Sequence, residues 1–313
     1  MHPDPFEPVQ LGDLSLKNAF IKAATNEGMC EDSKPTNRLI EFHRNIALGG
    51  TAMTTVSYGA VSPDGKTFAQ QLCLSPESLR ILARLTKSVH EAGGKASIQL
   101  THCGFFTNDT SKRQAFAPSR IFNAYGALTH LRFSRALDQE GMRRIKRDFV
   151  SAMLGIIDAG FDAAEVHMGH GYLLSQFLSP VTNKRKDDYG GDIIGRSRYP
   201  LEVFAAMRAA SPKFPLIVKL NMHDGLGNGI TPDECIYVAS RLQELGCTAI
   251  ELTGGFTSKS PFFLLRGDVP LKGMIRNSPT SLERVTMRLF GRQIIRSYPF
   301  TTNFFLPYAL HVR

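Results

Sequence analysis

Two imidazoles and a phenol fall within one short run, His167-Met168-Gly169-His170-Gly171-Tyr172, so that His167, His170 and Tyr172 gather proton-handling side chains in one place. An imidazole exchanges its proton near neutrality and a phenol keeps its proton across the physiological range, which suits hydrogen-bond donation and proton transfer. The H-x-x-H spacing of His167 and His170 is also one that a metal half-site would have. No third His, Cys or Glu stands at a ligand spacing nearby, whereas a catalytic zinc takes three protein ligands, so no metal is assigned. Leu173 to Pro180 continues the run. The clusters Asn183-Lys184-Arg185 and Asp188-Tyr189-Gly190-Gly191 that follow are read as braces of the loop.

The run comes directly after a strand-like stretch, Asp162 to Val166, which belongs to a longer alternation. Strands are expected over Ala19–Ala24, Thr51–Val56, Ala96–Leu100, Asp162–Val166, Pro215–Leu220 and Cys247–Leu252. Between them, helical periodicity marks Thr36–Ala47, Glu77–Ala92, Gln139–Ala159, Arg198–Ala209 and Pro232–Leu245. Gly49-Gly50 and Gly93-Gly94 end the first two of these helices. Strict alternation predicts a parallel sheet, because parallel strands need a crossover element between them. Thr25, Gln99, His167, Lys219 or Asn221, and Thr253 fall at or just beyond strand C-termini, the face on which barrels collect their active sites. No G-x-G-x-x-G follows the first strand, which weakens a Rossmann alternative. The expected fold is α/β, a TIM-type (β/α)8 barrel with about six β-α units present, forming a single domain over 1–313.

Composition bounds the function classes. A chain of 313 residues, 42% hydrophobic and 21% charged, can build a large core and reads as an ordinary globular protein. Its net charge of +9 is scattered, with no basic run interleaved with aromatics, so a pull on anionic ligands is expected and nucleic-acid binding is not. Cys30, Cys73, Cys103, Cys235 and Cys247 are odd in number and widely spaced, which predicts reduced thiols. The N-terminus resembles no targeting segment and no apolar run approaches the ~20 residues of a membrane span, so no membrane partner and a cytoplasmic location are expected.

Several pieces together carry a family resemblance. They are Ile21-Lys22-Ala23-Ala24-Thr25 after Leu16-Lys17-Asn18, then Gln99-Leu100-Thr101-His102-Cys103-Gly104, then the His167 to Pro180 run with Asn183, Arg185, Asp188 to Gly191 and Arg196, then Val218-Lys219-Leu220. In order and spacing the chain resembles the old yellow enzyme family from about Phe6 to its C-terminus. The resemblance implies an FMN across the barrel mouth that is reduced by NADH or NADPH and passes hydride to an activated alkene or enone, a small-molecule substrate. It implies that His167 and His170 donate hydrogen bonds to the substrate carbonyl in the manner of an oxyanion hole. Tyr172 would protonate the α-carbon. Lys219 would lie beneath the flavin, where the family often carries Arg; Lys supplies a point charge without the planar fork. Gln99 would meet the pyrimidine edge, donating and accepting at once. Thr25 would bond a flavin carbonyl, and the backbone of Ala23, Ala24 and Ala60 would line the ring.

There are also departures from the family. Its members continue past the sixth strand with two further β-α units, whose glycine-rich loops hold the FMN phosphate. Here the residues after Gly255 read as a loop, Ser260–Ser281, and as helices over Leu282–Ile295 and Thr302–Val312. An open six-unit barrel exposes the edges of its first and last strands, which predicts a homo-oligomer or a partner covering the open edge. Gly195 stands where the family usually has Asn before Arg196, and a looser local loop is expected there. Three readings stay open: a working flavin oxidoreductase of the ene-reductase type, a catalytically silent barrel that binds a partner chain, and a metal-dependent hydrolase on the same barrel.

Overall fold

A computed structural model describes residues 4–261, 263–264, 266–278, 281–295 and 297–312. An antiparallel hairpin, β1 (Val9–Leu11) and β2 (Leu14–Leu16), comes first. The first barrel strand is β3 (Ile21–Lys22), followed by a small ladder of β4 (Cys30–Glu31) and β5 (Lys34–Pro35). Then come α1 (Asn37–Leu48), β6 (Met53–Ala60), α2 (Pro76–Glu91) and β7 (Lys95–Thr101). The polar excursion holds only β8 (Phe116–Ala117) paired with β9 (Arg135–Ala136) as strands. It leads into α3 (Gln139–Asp158), β10 (Ala163–Met168), α4 (Leu173–Leu178), α5 (Ile193–Ala210), β11 (Leu216–Asn221), α6 (Pro232–Glu244) and β12 (Ala249–Thr253). Helices α7 (Leu271–Asn277), α8 (Ser281–Ile294) and α9 (Leu306–Val312) follow.

Local chemistry accounts for the helix starts. Ser75 accepts from the Ser78 N–H ahead of Pro76, Asp138 accepts from the Gly141 N–H, and Thr231 with Glu234 forms a capping box around Pro232. Each helix then buries one stripe: Leu82, Leu85 and Val89 on α2, and Met142, Ile145, Phe149, Met153 and Ile156 on α3.

The main sheet is parallel throughout, in the order β12-β11-β10-β7-β6-β3, and it curls into a half-barrel. Alternate side chains divide its two faces. Val166, Met168, Val218 and Leu220 join the outer core under the helices. Ala163 and Ile217 turn inward and pack with Met53 against Leu16 of the hairpin, which closes the lower end of the half-barrel. The hairpin reaches the far side of the sheet, since a Cβ on Gly12 would lie 2.8 Å from Thr248 Cγ2.

Three expectations about elements are corrected. The first strand is only two residues long, and its residue Ile21 remains 41% exposed at the sheet edge. Helix α4 was not foreseen; with six residues it is too short for periodicity to reveal. The stretch expected as a loop after Ser260 contains α7. Among the described residues no strand pairs with the free edge of β12, and α9 instead lays Tyr308 and Val312 against the outer core beside α6. Among those residues no helix is long and apolar enough to cross a membrane.

Candidate active site at the mouth of the half-barrel

Strand register builds the site in layers. Ascending from the closed end, the inward series are Ala163, Glu165, His167 on β10; Ile217, Lys219, Asn221 on β11; and Ala249, Glu251, Thr253 on β12. In each series an apolar floor residue is followed by a charged one and then by a polar one at the mouth. Between β11 and β12 like levels meet, Lys219 with Glu251 and Asn221 with Thr253, whereas β10 is staggered by one level, so that Glu165 pairs with Ile217 and His167 with Lys219.

At the mouth the His167 and His170 rings stand edge to face with centroids 5.0 Å apart, and the Tyr172 ring is 4.7 Å from His167. The Gly169 N–H donates to His167 Nδ1 at 3.2 Å, which leaves Nε2 to carry the ring proton. His170 has a left-handed backbone, φ 56°, a costly state for a side-chain-bearing residue. Two anchors hold it there: its N–H donates to Asn221 Oδ1 at 3.0 Å, and its Nε2 lies 2.6 Å from Thr253 Oγ1. Gly171 follows at φ 76°, where a Cβ would stand 2.3 Å from the Phe256 ring. Glycine is required by both counts.

Tyr172 caps the start of α4 and packs among Tyr58 at 5.4 Å and Phe106 at 6.1 Å. Gln176, one turn along, donates to the carbonyls of Cys103 and Gly171 and accepts from the Phe105 N–H, which fixes α4 to the loop after β7.

Burial shapes the proton chemistry of this group. It holds His167 well below the ordinary imidazole value, with His170 and Lys219 adding to the effect. Burial, then Lys219, lowers His170 to about 4. Burial, reinforced by Tyr58, pushes the Tyr172 phenol well above its usual value. All three are neutral at pH 7 and able to donate a hydrogen bond.

Beneath them Lys219 Nζ sits between two carboxylates, 3.1 Å from Glu165 and 3.0 Å from Glu251, while Gln99 Nε2 donates to Glu165. Burial raises the Glu165 carboxyl, and its hydrogen bond with Glu251 raises it further. Burial acts upward on Glu251 too, but the bond from Glu165 and the Lys219 ammonium outweigh it. These opposite directions make Glu251 the readier of the two to carry negative charge beside the ammonium.

The remaining expected residues lie around the rim. Ala23 and Thr25 are exposed and Ala24 half-buried on the loop after β3. Ala60 is buried at the end of β6, with its N–H donating to Leu72 O at 2.8 Å and its carbonyl accepting from Leu74 N–H at 3.0 Å. Arg185 donates to the carbonyls of Pro118 and Leu137 and pairs with Asp187, bracing the long loops. The looser loop expected at Gly195 is corrected: a Cβ there would lie 2.1 Å from Gly190 O, and Asp192 caps α5 through the Gly195 N–H. Glu165, Glu251 and Tyr58 received no role from sequence. A period-two reading of β10, β11 and β12 would have found the carboxylates, since each sits two residues below an expected mouth residue.

The donor set can be tested against an isoalloxazine ring. An ammonium carries three N–H bonds, so Lys219 keeps one beyond its two carboxylates. Gln99 spends its amide N–H on Glu165 and keeps its oxygen for a ring N–H. Thr101 Oγ1, two residues along the same face of β7, is buried without a protein partner. These groups fit the pyrimidine edge of FMN. For the phosphate, no strand-loop unit follows β12 among the described residues.

A parallel β/α half-barrel carrying paired imidazoles and a phenol at its mouth defines a class of flavin enzymes, and comparison with known proteins agrees. The model of the NADH:flavin oxidoreductase / NADH oxidase family matches residues 4–254. The 4,4'-dithiodibutanoate disulfide reductase of Rhodococcus erythropolis is 39% identical over 314 aligned residues, 99% of this chain and 77% of that protein. The NADPH dehydrogenase of Bacillus subtilis is 31% identical over 80% of this chain and 73% of its own length. In structure, the old yellow enzyme homologue from Zymomonas mobilis superposes with a TM-score of 0.75 at 22% identity, over 95% of this chain and 88% of the other. The chain belongs to the NADH:flavin oxidoreductase / NADH oxidase family. It is an FMN-dependent NAD(P)H oxidoreductase.

Proposed function

We propose that the protein reduces activated alkenes such as enones, with His167 and His170 as carbonyl anchors and Tyr172 as proton donor. FMN, once reduced by NAD(P)H, supplies the hydride that reaches the β-carbon. Negative charge then develops on the substrate carbonyl oxygen, where two neutral imidazole N–H groups stabilise it without first giving up a proton. Tyr172 delivers the proton to the α-carbon, so that one hydride and one proton add across the C=C bond. The observation that carries this reading is the neutral, mutually packed group of His167, His170 and Tyr172 at the mouth. Thr25, Ala23, Ala24 and Ala60 would border the ring, with Gln99 and Lys219 on its pyrimidine edge.

A second substrate class is favoured by the Rhodococcus relative, named as a disulfide reductase. At the same site, hydride attack on one sulfur would break an S–S bond, and Tyr172 would protonate the departing thiolate, giving two thiols.

Anaerobic stopped-flow measurement of the two half-reactions tests the proposal. Tyr172→Phe is expected to slow flavin reoxidation by 2-cyclohexenone by about 10²-fold or more while flavin reduction by NAD(P)H keeps its rate. Equal loss in both half-reactions refutes the role of Tyr172. Turnover of 4,4'-dithiodibutanoate with none of the enone selects the second substrate class.

A further inference from the structure

The arrangement around Lys219 goes beyond a lone cation under a flavin. Its Nζ is held at 3.1 Å by Glu165 and at 3.0 Å by Glu251. Its side chain is 4% exposed, that of Glu165 2% and that of Glu251 35%. The other groups facing it are His167 on β10 and His170 on the following loop, both neutral, and the uncharged Gln99 on β7. Burial and the bond to Glu251 raise Glu165, while on Glu251 burial is outweighed by the bond from Glu165 and the Lys219 ammonium, so Glu251 is the readier of the two to hold the charge that faces Lys219.

We propose that Glu251 is a positioning residue for Lys219: with Glu165 it clamps the ammonium and offsets its charge, so the cofactor's pyrimidine edge meets an oriented N–H donor instead of an uncompensated cation. The inference rests on the reading that FMN lies over Lys219. Register is what makes the clamp possible, because Lys219 and Glu251 are direct partners across β11 and β12 while Glu165 faces the same interior from β10. Two-electron reduction of FMN by NAD(P)H with uptake of one proton leaves a negative charge at that edge, and a free ammonium would favour this state more strongly than a compensated one. Glu251 therefore keeps the bound cofactor more strongly reducing than Lys219 alone would.

Glu251→Gln, which preserves shape, is the test, and it is read in two ways. With FMN bound, spectroelectrochemistry of the full chain should show an approximately tenfold shift in favour of the reduced cofactor, about 30 mV for a two-electron couple. Glu251→Asp should keep the wild-type potential. An unchanged potential in Glu251→Gln with FMN still bound overturns the proposal. In the apoprotein at pH 7, infrared spectroscopy should show a buried protonated carboxylic acid that is lost in Glu165→Gln and remains in Glu251→Gln, so that removing Glu251 leaves the ammonium uncompensated. Its absence from the wild type, or its loss in Glu251→Gln, would mean that Glu165 balances Lys219 by itself, and overturns the role of Glu251 without any cofactor present. A protein that takes up no added FMN defeats the reading of the flavin site, and the infrared result still decides the clamp.

Discussion

His170 Nε2 stands 2.6 Å from Thr253 Oγ1, so the loop after β10 is tied across the mouth to the last residue of β12. Thr253→Val keeps the shape of the side chain and deletes its hydroxyl. The half-buried imidazole then loses a partner, at a cost of about 1–3 kcal/mol. The expected outcome is a lower melting temperature together with a raised KM for the alkene, checked by thermal unfolding and steady-state kinetics. Unchanged values in both would show that the contact positions nothing.

The same imidazole links stability to pH. Burial, then Lys219, lowers its value in the folded state from 6.5 to about 4. The unfolded chain therefore binds a proton that the folded chain refuses between those values, and stability contributed by this group is lost as pH falls through that window. Relative to His170→Gln, the wild type is expected to lose about 2 kcal/mol more between pH 6.5 and 5. Denaturant titrations of both proteins at the two pH values measure the difference, and parallel losses would mean that His170 titrates normally when folded.

Gly171→Ala meets two obstacles at once, a backbone at φ 76° and the Phe256 ring 2.3 Å from the new methyl. The combined cost is about 2–4 kcal/mol. The melting temperature should fall, and near-ultraviolet circular dichroism should report movement of the aromatic group around Tyr172. A fully stable variant would mean that the turn relaxes without strain.

Much of this was legible before folding because barrel strands and their helices are local features. The helix stripes of α2 and α3 follow from spacing and composition, and their ends were placed to within a residue or two. His167, His170 and Tyr172 could be read as a group because they share one short segment. Helix α4 escaped, and the first strand was read as longer than its two residues, because both are set by packing against neighbours. Glu165 and Glu251 escaped for another reason. Their partner Lys219 lies on a third strand, and only register brings the three together.

Residue order alone is enough to establish the β-α alternation, the polar strand ends and the short run that carries two imidazoles and a phenol, since each depends on neighbours a few positions apart. Chain packing settled the rest. It placed His170 in a left-handed turn held by Asn221 and Thr253, removed water from both imidazoles so that they stay neutral, and set Lys219 between two carboxylates. Those properties depend on burial and on distances between separate strands, and such quantities exist only once the sheet has curled.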